Sequence, residues 1–182
     1  HLEHRRQRQM CIRDSTIEEV DALTGALIGR PNTGTYRLQD LVGLDTGEKV
    51  TQFVMNNVQN DSFFEILGKA PETKFMTFLL ENNFLGNKTG KGFYHKTDQK
   101  DQNGRTIINA LDLKTLEYKP SIRPKNPILK EAKAIENMHK RMLFLMDKDG
   151  KESLFLKDYF ASIFAYAAQR VPDISDQYYP VD

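Results

Sequence analysis

Ser15-Thr16-Ile17-Glu18-Glu19-Val20-Asp21-Ala22-Leu23-Thr24-Gly25-Ala26-Leu27-Ile28-Gly29-Arg30-Pro31 sets the helical character of this chain. A hydroxyl at Ser15 or Thr16, followed three residues later by Glu18 or Glu19, forms a capping-box pattern. Hydroxyl and carboxylate each satisfy an amide that the first helical turn leaves without a partner. Ile17, Val20, Leu23, Leu27 and Ile28 recur every three or four residues, so the predicted helix has one apolar face. Gly29 and Pro31 supply its stop. Gly25 inside the run costs roughly 1 kcal/mol relative to alanine, which predicts that another backbone approaches closely there.

Toward the carboxyl end the helical signals repeat. A second short helix is expected around Arg37 to Val42, ahead of Gly43. Asp45 stands three residues before Glu48 as a second capping box, and Val50, Phe53, Val54 and Val58 mark the apolar stripe of a third helix. Pro71 suits the first turn of a fourth, with Phe75, Phe78 and Leu79 on one face until Asn82 and Asn83. The period then changes. His95 to Gly104 is polar and reads as a loop, whereas Thr106-Ile107-Ile108 and Leu116-Glu117-Tyr118 read as short strands of a small β ribbon near 93–118.

Pro120, Pro124 and Pro127 then punctuate a linker-like stretch. Asn126 as cap and Pro127 in the first turn start a long helix with Leu129, Ala132, Ile135, Met138, Met142 and Leu145 on its apolar side. Lys130, Lys133, Lys140 and Arg141 form a solvated basic face. From Leu154 to Ala168 the chain is apolar almost all round, which predicts a helix buried in a larger body and ended by Pro172, with Asp173 capping a further one. The fold class expected is mainly α, with that small β ribbon.

The leader His1–Ser15 carries Arg5, Arg6, Arg8 and Arg13 around Met10 and Ile12 without a usable period, and it resembles translated adapter sequence rather than a native segment. It contains Cys11, the single cysteine, so disulfides and cysteine-based zinc sites are excluded. With 26 basic and 25 acidic side chains the net charge is +1, which gives no field to gather nucleic acid. No run of 18 apolar residues is present. A cytoplasmic setting without membrane insertion is the expectation.

Chemistry is sparse. Gly86, Gly90 and Lys91 approach the spacing of a phosphate-binding P-loop, but the gap is one residue short and Gly92 replaces the magnesium-holding hydroxyl. The stretch reads instead as a glycine-rich turn with Lys88 and Lys91 in water. No G-x-G-x-x-G pattern opens a helix after an apolar strand. Asp147-Lys148-Asp149-Gly150 places Glu152 and Asp158 where a calcium loop needs glycine and glutamate, so it reads as a turn. His1, His4, His95 and His139 have no metal-ligand spacing, and the carboxylates read as caps and exposed-face residues. No catalytic, cofactor-binding or metal-binding residue is assigned.

Four separated motifs carry a resemblance: Thr16 to Thr24, Gly29-Arg30-Pro31, Asp40-Leu41-Val42-Gly43-Leu44-Asp45, and Asn87 to Tyr94. In order and spacing they resemble the carboxyl-terminal domain of 3-hydroxyacyl-CoA dehydrogenases. Leu116-Glu117-Tyr118 and Ala165 to Ile174 look like the linker and the start of the second helical repeat in the long, bacterial fatty-acid-oxidation members. The resemblance implies a helical bundle like the 6-phosphogluconate dehydrogenase carboxyl-terminal domain, its second repeat truncated. It divides the chain into a leader at 1–15, the family domain at 16–95, a linker with short strands at 96–126, and an incomplete second repeat at 127–182.

The implied parent oxidises (3S)-3-hydroxyacyl-CoA to 3-oxoacyl-CoA, passing hydride to NAD held by a nucleotide-binding domain that precedes this segment. The family's catalytic histidine, glutamate and asparagine match no position here, so the piece alone is expected to be inactive. Its expected contribution is a wall of the acyl cleft at Pro31, Gly34, Thr35 and Tyr36, together with a homodimer interface and contact with a thiolase. Asn32 to Thr35 departs from the Gly-Pro-Phe of many shorter members, which leaves acyl-length preference open. The alternative is a helical interaction module without a catalytic role.

Overall fold

The computed structural model describes residues 15–58, 74–175 and 177. The readings of the leader through residue 14 and of Pro71 lie outside them. The chain divides into two compact units, Thr16–Leu129 and, among the described residues, the part from Lys130 onward.

Helix α1 (Ile17–Thr24) begins as its sequence dictates. Thr16 Oγ1 accepts from Glu19 N at 3.3 Å, and Glu19 Oε2 accepts from Thr16 N at 3.0 Å. The helix is shorter than predicted, because Gly25 leaves the helical conformation and Ala26–Ile28 continue as a single 3-10 turn. A Cβ on Gly25 would lie 3.1 Å from Asp21 O, 3.3 Å from Pro31 O and 3.4 Å from Gly34 N. The expected close backbone is therefore the Pro31–Gly34 turn folding back on α1.

Helices α2 (Tyr36–Val42) and α3 (Leu44–Asn57) are separated by Gly43 alone. The predicted Asp45–Glu48 capping box is not the start of α3. That helix begins at Leu44 without a side-chain cap; the Leu44 amide donates to Leu85 O at 3.2 Å, and Asp45 pairs with Lys88. A tertiary contact outcompetes the local cap. The predicted stripe on α3 is mostly uncovered, with Val50 57% and Phe53 67% exposed and only Leu44 buried. Helix α4 (Lys74–Glu81) buries Leu79 and brings Phe75 and Phe78 against the core, until Asn83 turns left-handed at φ 56°.

A three-stranded antiparallel sheet follows, with β1 (Tyr94–Lys100), β2 (Thr106–Leu111) and β3 (Tyr118–Pro120) in that spatial order. Most of the segment predicted as a loop is thus strand β1. Its residues are polar because β1 is an edge strand whose Lys96, Asp98 and Lys100 face water, while its backbone pairs with β2 from Tyr94↔Ala110 to Lys100↔Thr106. Strand β3 starts two residues later than expected: Leu116 adopts φ 60° in a turn closed by its amide on Asp112 O. Pro120 ends the opposite edge strand, where a missing amide is tolerated.

The core of this unit joins helices and sheet through Ile17, Leu44, Leu79, Phe93, Ala110 and Leu111. Phe93 is fully buried between the rings of Tyr36 and Phe75, at centroid distances of 4.7 and 6.0 Å. Burial of one such side chain stabilises by roughly 1.5–3 kcal/mol.

Helix α5 (Pro127–Ala134) opens with Asn126 Oδ1 accepting from Ile128 N at 2.8 Å, as predicted. The long helix expected beyond it is broken in two. Asn137 caps a new helix, α6 (Met138–Asp147), by accepting from Lys140 N at 3.0 Å, and Arg141 Nε donates to Ile135 O at 2.8 Å across the break. Lys130, Lys133 and Lys140 are exposed, as expected of a solvated face. Lys148 to Gly150 form the turn into α7 (Lys151–Ile174), which runs through Pro172 and Asp173 rather than stopping before them. Leu145, Phe155 and Leu156 are buried, whereas Ile163 and Phe164 are 43% and 64% exposed. No helix among the described residues is long and apolar enough to cross a membrane.

Candidate functional site

The segment singled out as a cleft wall is fastened to α1 by consecutive contacts. Gly34, at φ +69°, lies so close to Asp21 that a Cβ there would sit 2.6 Å from both Asp21 Cα and its carbonyl oxygen. Thr35 Oγ1 and Thr24 Oγ1 share a hydrogen bond of 2.7 Å. The next two amides go to the Asp21 side chain: Tyr36 N donates to Oδ1 at 2.6 Å and Arg37 N to Oδ2 at 3.1 Å. Thr35 itself offers α2 no side-chain cap. Asp21, fifteen residues upstream, supplies one instead, placing negative charge at the positive end of α2. Of the four predicted wall residues, Gly34 is buried, Thr35 and Tyr36 are half-buried, and Pro31 is exposed.

The same carboxylate reaches the glycine-rich segment, where Tyr94 Oη donates to Asp21 Oδ2 at 2.8 Å. The Arg37 guanidinium lies 4.4 Å from the Tyr94 ring centroid. Burial raises the Asp21 carboxyl above the ordinary aspartate range, while the bonds from Tyr94, Tyr36 and Arg37 oppose that rise. Burial and the neighbouring Asp21 push the Tyr94 hydroxyl up, so it remains a donor at neutral pH.

A second carboxylate, Asp40, is 2% exposed. Its two oxygens accept from Phe93 N and Tyr94 N, each at 2.8 Å. Gly86 and Gly92 pack directly on this residue: a Cβ on Gly92 would meet Asp40 Oδ1 at 2.1 Å, and one on Gly86 would meet Asp40 O at 2.3 Å. Burial dominates its titration and pushes Asp40 up to about 6 against the two amide bonds. The expectation that the carboxylates were only caps and exposed-face residues is therefore corrected at Asp21 and Asp40. Each ties two motifs together that lie far apart in sequence.

Three glycine amides of this segment are engaged by carbonyls within it. Gly86 N donates to Lys91 O, Gly90 N to Asn87 O and Gly92 N to Tyr94 O, at 2.8, 3.1 and 3.0 Å. It leads into β1 rather than a helix, and Asp40 places negative charge beneath it. These residues do not fit a dinucleotide such as NAD. Its two lysines are engaged rather than simply solvated: Lys88 pairs with Asp45, and Lys91 Nζ lies 3.9 Å from the Phe84 ring centroid and 4.4 Å from that of Tyr118. Tyr118 Oη donates to Gly92 O, and His95 stands edge-on to the Tyr118 ring at 5.9 Å. His139 is exposed on α6.

Among the described residues, no group of three histidine, cysteine or carboxylate side chains is placed to hold a metal. Asp40 is closed off from solvent, and the Asp21 carboxylate is occupied by its donors. The arrangement positions backbone and aromatic surface.

Residues 7–96 match the family model described as 3-hydroxyacyl-CoA dehydrogenase, C-terminal domain. A probable 3-hydroxyacyl-CoA dehydrogenase of Bacillus subtilis is 33% identical over 91% of this chain. One from Deinococcus radiodurans is 36% identical over 50% of this chain and 24% of its own length. A putative fatty acid oxidation complex trifunctional enzyme of Rickettsia prowazekii is 22% identical over 90% of the chain. The matched region is 20% of the Bacillus and of the Rickettsia protein, so the chain spans about a fifth of the length of these relatives. No solved structure matches.

Proposed function

We propose, from the match of residues 7–96 to the 3-hydroxyacyl-CoA dehydrogenase C-terminal domain, that the chain is the helical part of an NAD-dependent enzyme of fatty-acid β-oxidation. The reaction is oxidation of (3S)-3-hydroxyacyl-CoA to 3-oxoacyl-CoA in the cytoplasm. On this reading NAD and the groups that move the proton are held outside this chain, which by itself is inactive. The chain supplies a wall of the acyl cleft at Pro31, Gly34, Thr35 and Tyr36.

The observation that carries this reading is the fastening of residues 34–37 to α1. A wall contributes to catalysis only if it stays in place, because binding of a remote acyl tail is then available to align the reacting carbon. Each methylene that it covers is worth about 0.8 kcal/mol.

The uncovered apolar side of α3 supports the second part of the proposal, a homodimer interface. Val50 and Phe53, with Leu41 and Val42 of α2 at 59% and 55% exposure, expose large apolar side chains of the kind that associate. Contact with a thiolase would use the same kind of surface. A purely interacting module would associate through it and bind no acyl-CoA.

Photolabelling separates the two readings. Octanoyl-CoA carrying a terminal diazirine should label the peptide containing Pro31 to Tyr36, and unmodified octanoyl-CoA should compete. Labelling that avoids this peptide, or resists competition, would contradict the cleft assignment.

A further inference from the structure

We infer that Asp21 is the positioning residue of the proposed cleft wall, holding the segment from Gly34 to Arg37 and the Tyr94 side chain in one fixed arrangement. The inference rests on the cleft reading above, but its structural half is tested independently.

Three kinds of contact converge on this residue. Its backbone is the surface on which Gly34 packs, at a distance that admits no side chain. Its Oδ1 takes the Tyr36 amide, and its Oδ2 takes both the Arg37 amide and the Tyr94 hydroxyl. Tyr36 and Arg37 are the first two residues of α2, whose own Thr35 provides no side-chain cap. Without the Asp21 carboxylate those amides lose their acceptor, while the turn from Pro31 keeps the Gly34 N to Pro31 O bond, the Thr24–Thr35 hydroxyl bond and its packing. Tyr36 also lies against the buried Phe93 ring, so the carboxylate fixes where an aromatic face of the wall stands.

Asp21 differs in this from Asp40. The latter holds the amides of Phe93 and Tyr94 and is sealed in the core. Asp21 is half-buried and acts on the segment itself.

The test is residue-resolved amide hydrogen exchange on the full chain and on Asp21→Asn, with the photolabel as a second readout. An asparagine retains one acceptor oxygen and turns an NH2 group toward the remaining donors. Exchange at Tyr36 and Arg37 should accelerate roughly ten- to a hundredfold, while the Phe93 and Tyr94 amides and the interior of α1 keep their protection. Labelling of the Pro31–Tyr36 peptide should fall with it.

Uniform acceleration across the core, or none at Tyr36 and Arg37, would overturn the inference. Tyr94→Phe serves if Asp21→Asn does not fold: it removes one donor and leaves the carboxylate on both amides, so protection of Tyr36 and Arg37 that persists supports the inference and its loss overturns it. An unlabelled wild-type chain combined with confined acceleration would sink the cleft reading while leaving the anchoring role of Asp21 intact.

Discussion

Asp40 and Asp112 show how far environment moves one type of carboxyl group. Asp112, near the surface, is held down to about 2 by the Lys119 ammonium and the amides of Lys114 and Thr115, whereas burial pushes Asp40 up to about 6. A folded-state value above the ordinary 3.8 means that the native protein binds this proton more tightly than the unfolded chain does. The contribution of Asp40 to stability is therefore fully present below about 3.8 and is lost as pH rises through about 6. Denaturant unfolding of wild type and Asp40→Asn at a series of pH values should show the wild-type advantage shrinking over that window; a flat or growing difference would contradict it. Neither Asp21 nor Asp40 was legible as a buried anchor in the sequence. Each lies on a short helix, where an aspartate reads as solvated, and its partners sit 15 to 73 residues away for Asp21 and 53 to 54 for Asp40.

At the scale of elements, local signals were readable and tertiary ones were not. The Thr16–Glu19 box and the Asn126 cap form as read because donor and acceptor lie within three residues of each other. The Asp45 box gives way to Leu85 O and Lys88, partners that no local window contains. Strand β1 was missed because edge strands exposed to water carry polar residues, which hide the alternation that marks a half-buried strand. Gly25 revealed a close backbone, since a glycine inside a helical pattern needs a reason. The same logic separates two other glycines. Gly34→Ala must adopt φ +69° against Asp21 and should cost more than about 2 kcal/mol, whereas Gly47, within α3 and with nothing within 4 Å of its Cβ position, should gain about 0.5–1 kcal/mol as alanine. Denaturation midpoints of the two variants check both signs, and equal shifts would refute the contrast.

At the scale of the whole molecule, the four sequence motifs acquire a common physical reason. The first helix carries Asp21, the turn after Pro31 folds onto it, the second helix carries Asp40, and the glycine-rich segment delivers Phe93 and Tyr94 to both carboxylates. The motifs therefore build a scaffold tied together by two carboxylates. On the proposed function this scaffold serves a hydride transfer whose chemical groups are held outside these residues. NADH production from (3S)-3-hydroxyoctanoyl-CoA and NAD tests it most directly, measured for the purified chain alone and mixed with the Bacillus subtilis relative from which the matching fifth has been deleted. The account predicts no NADH from either component and turnover from the mixture; NADH production by this chain alone, or a mixture as silent as its parts, would contradict it.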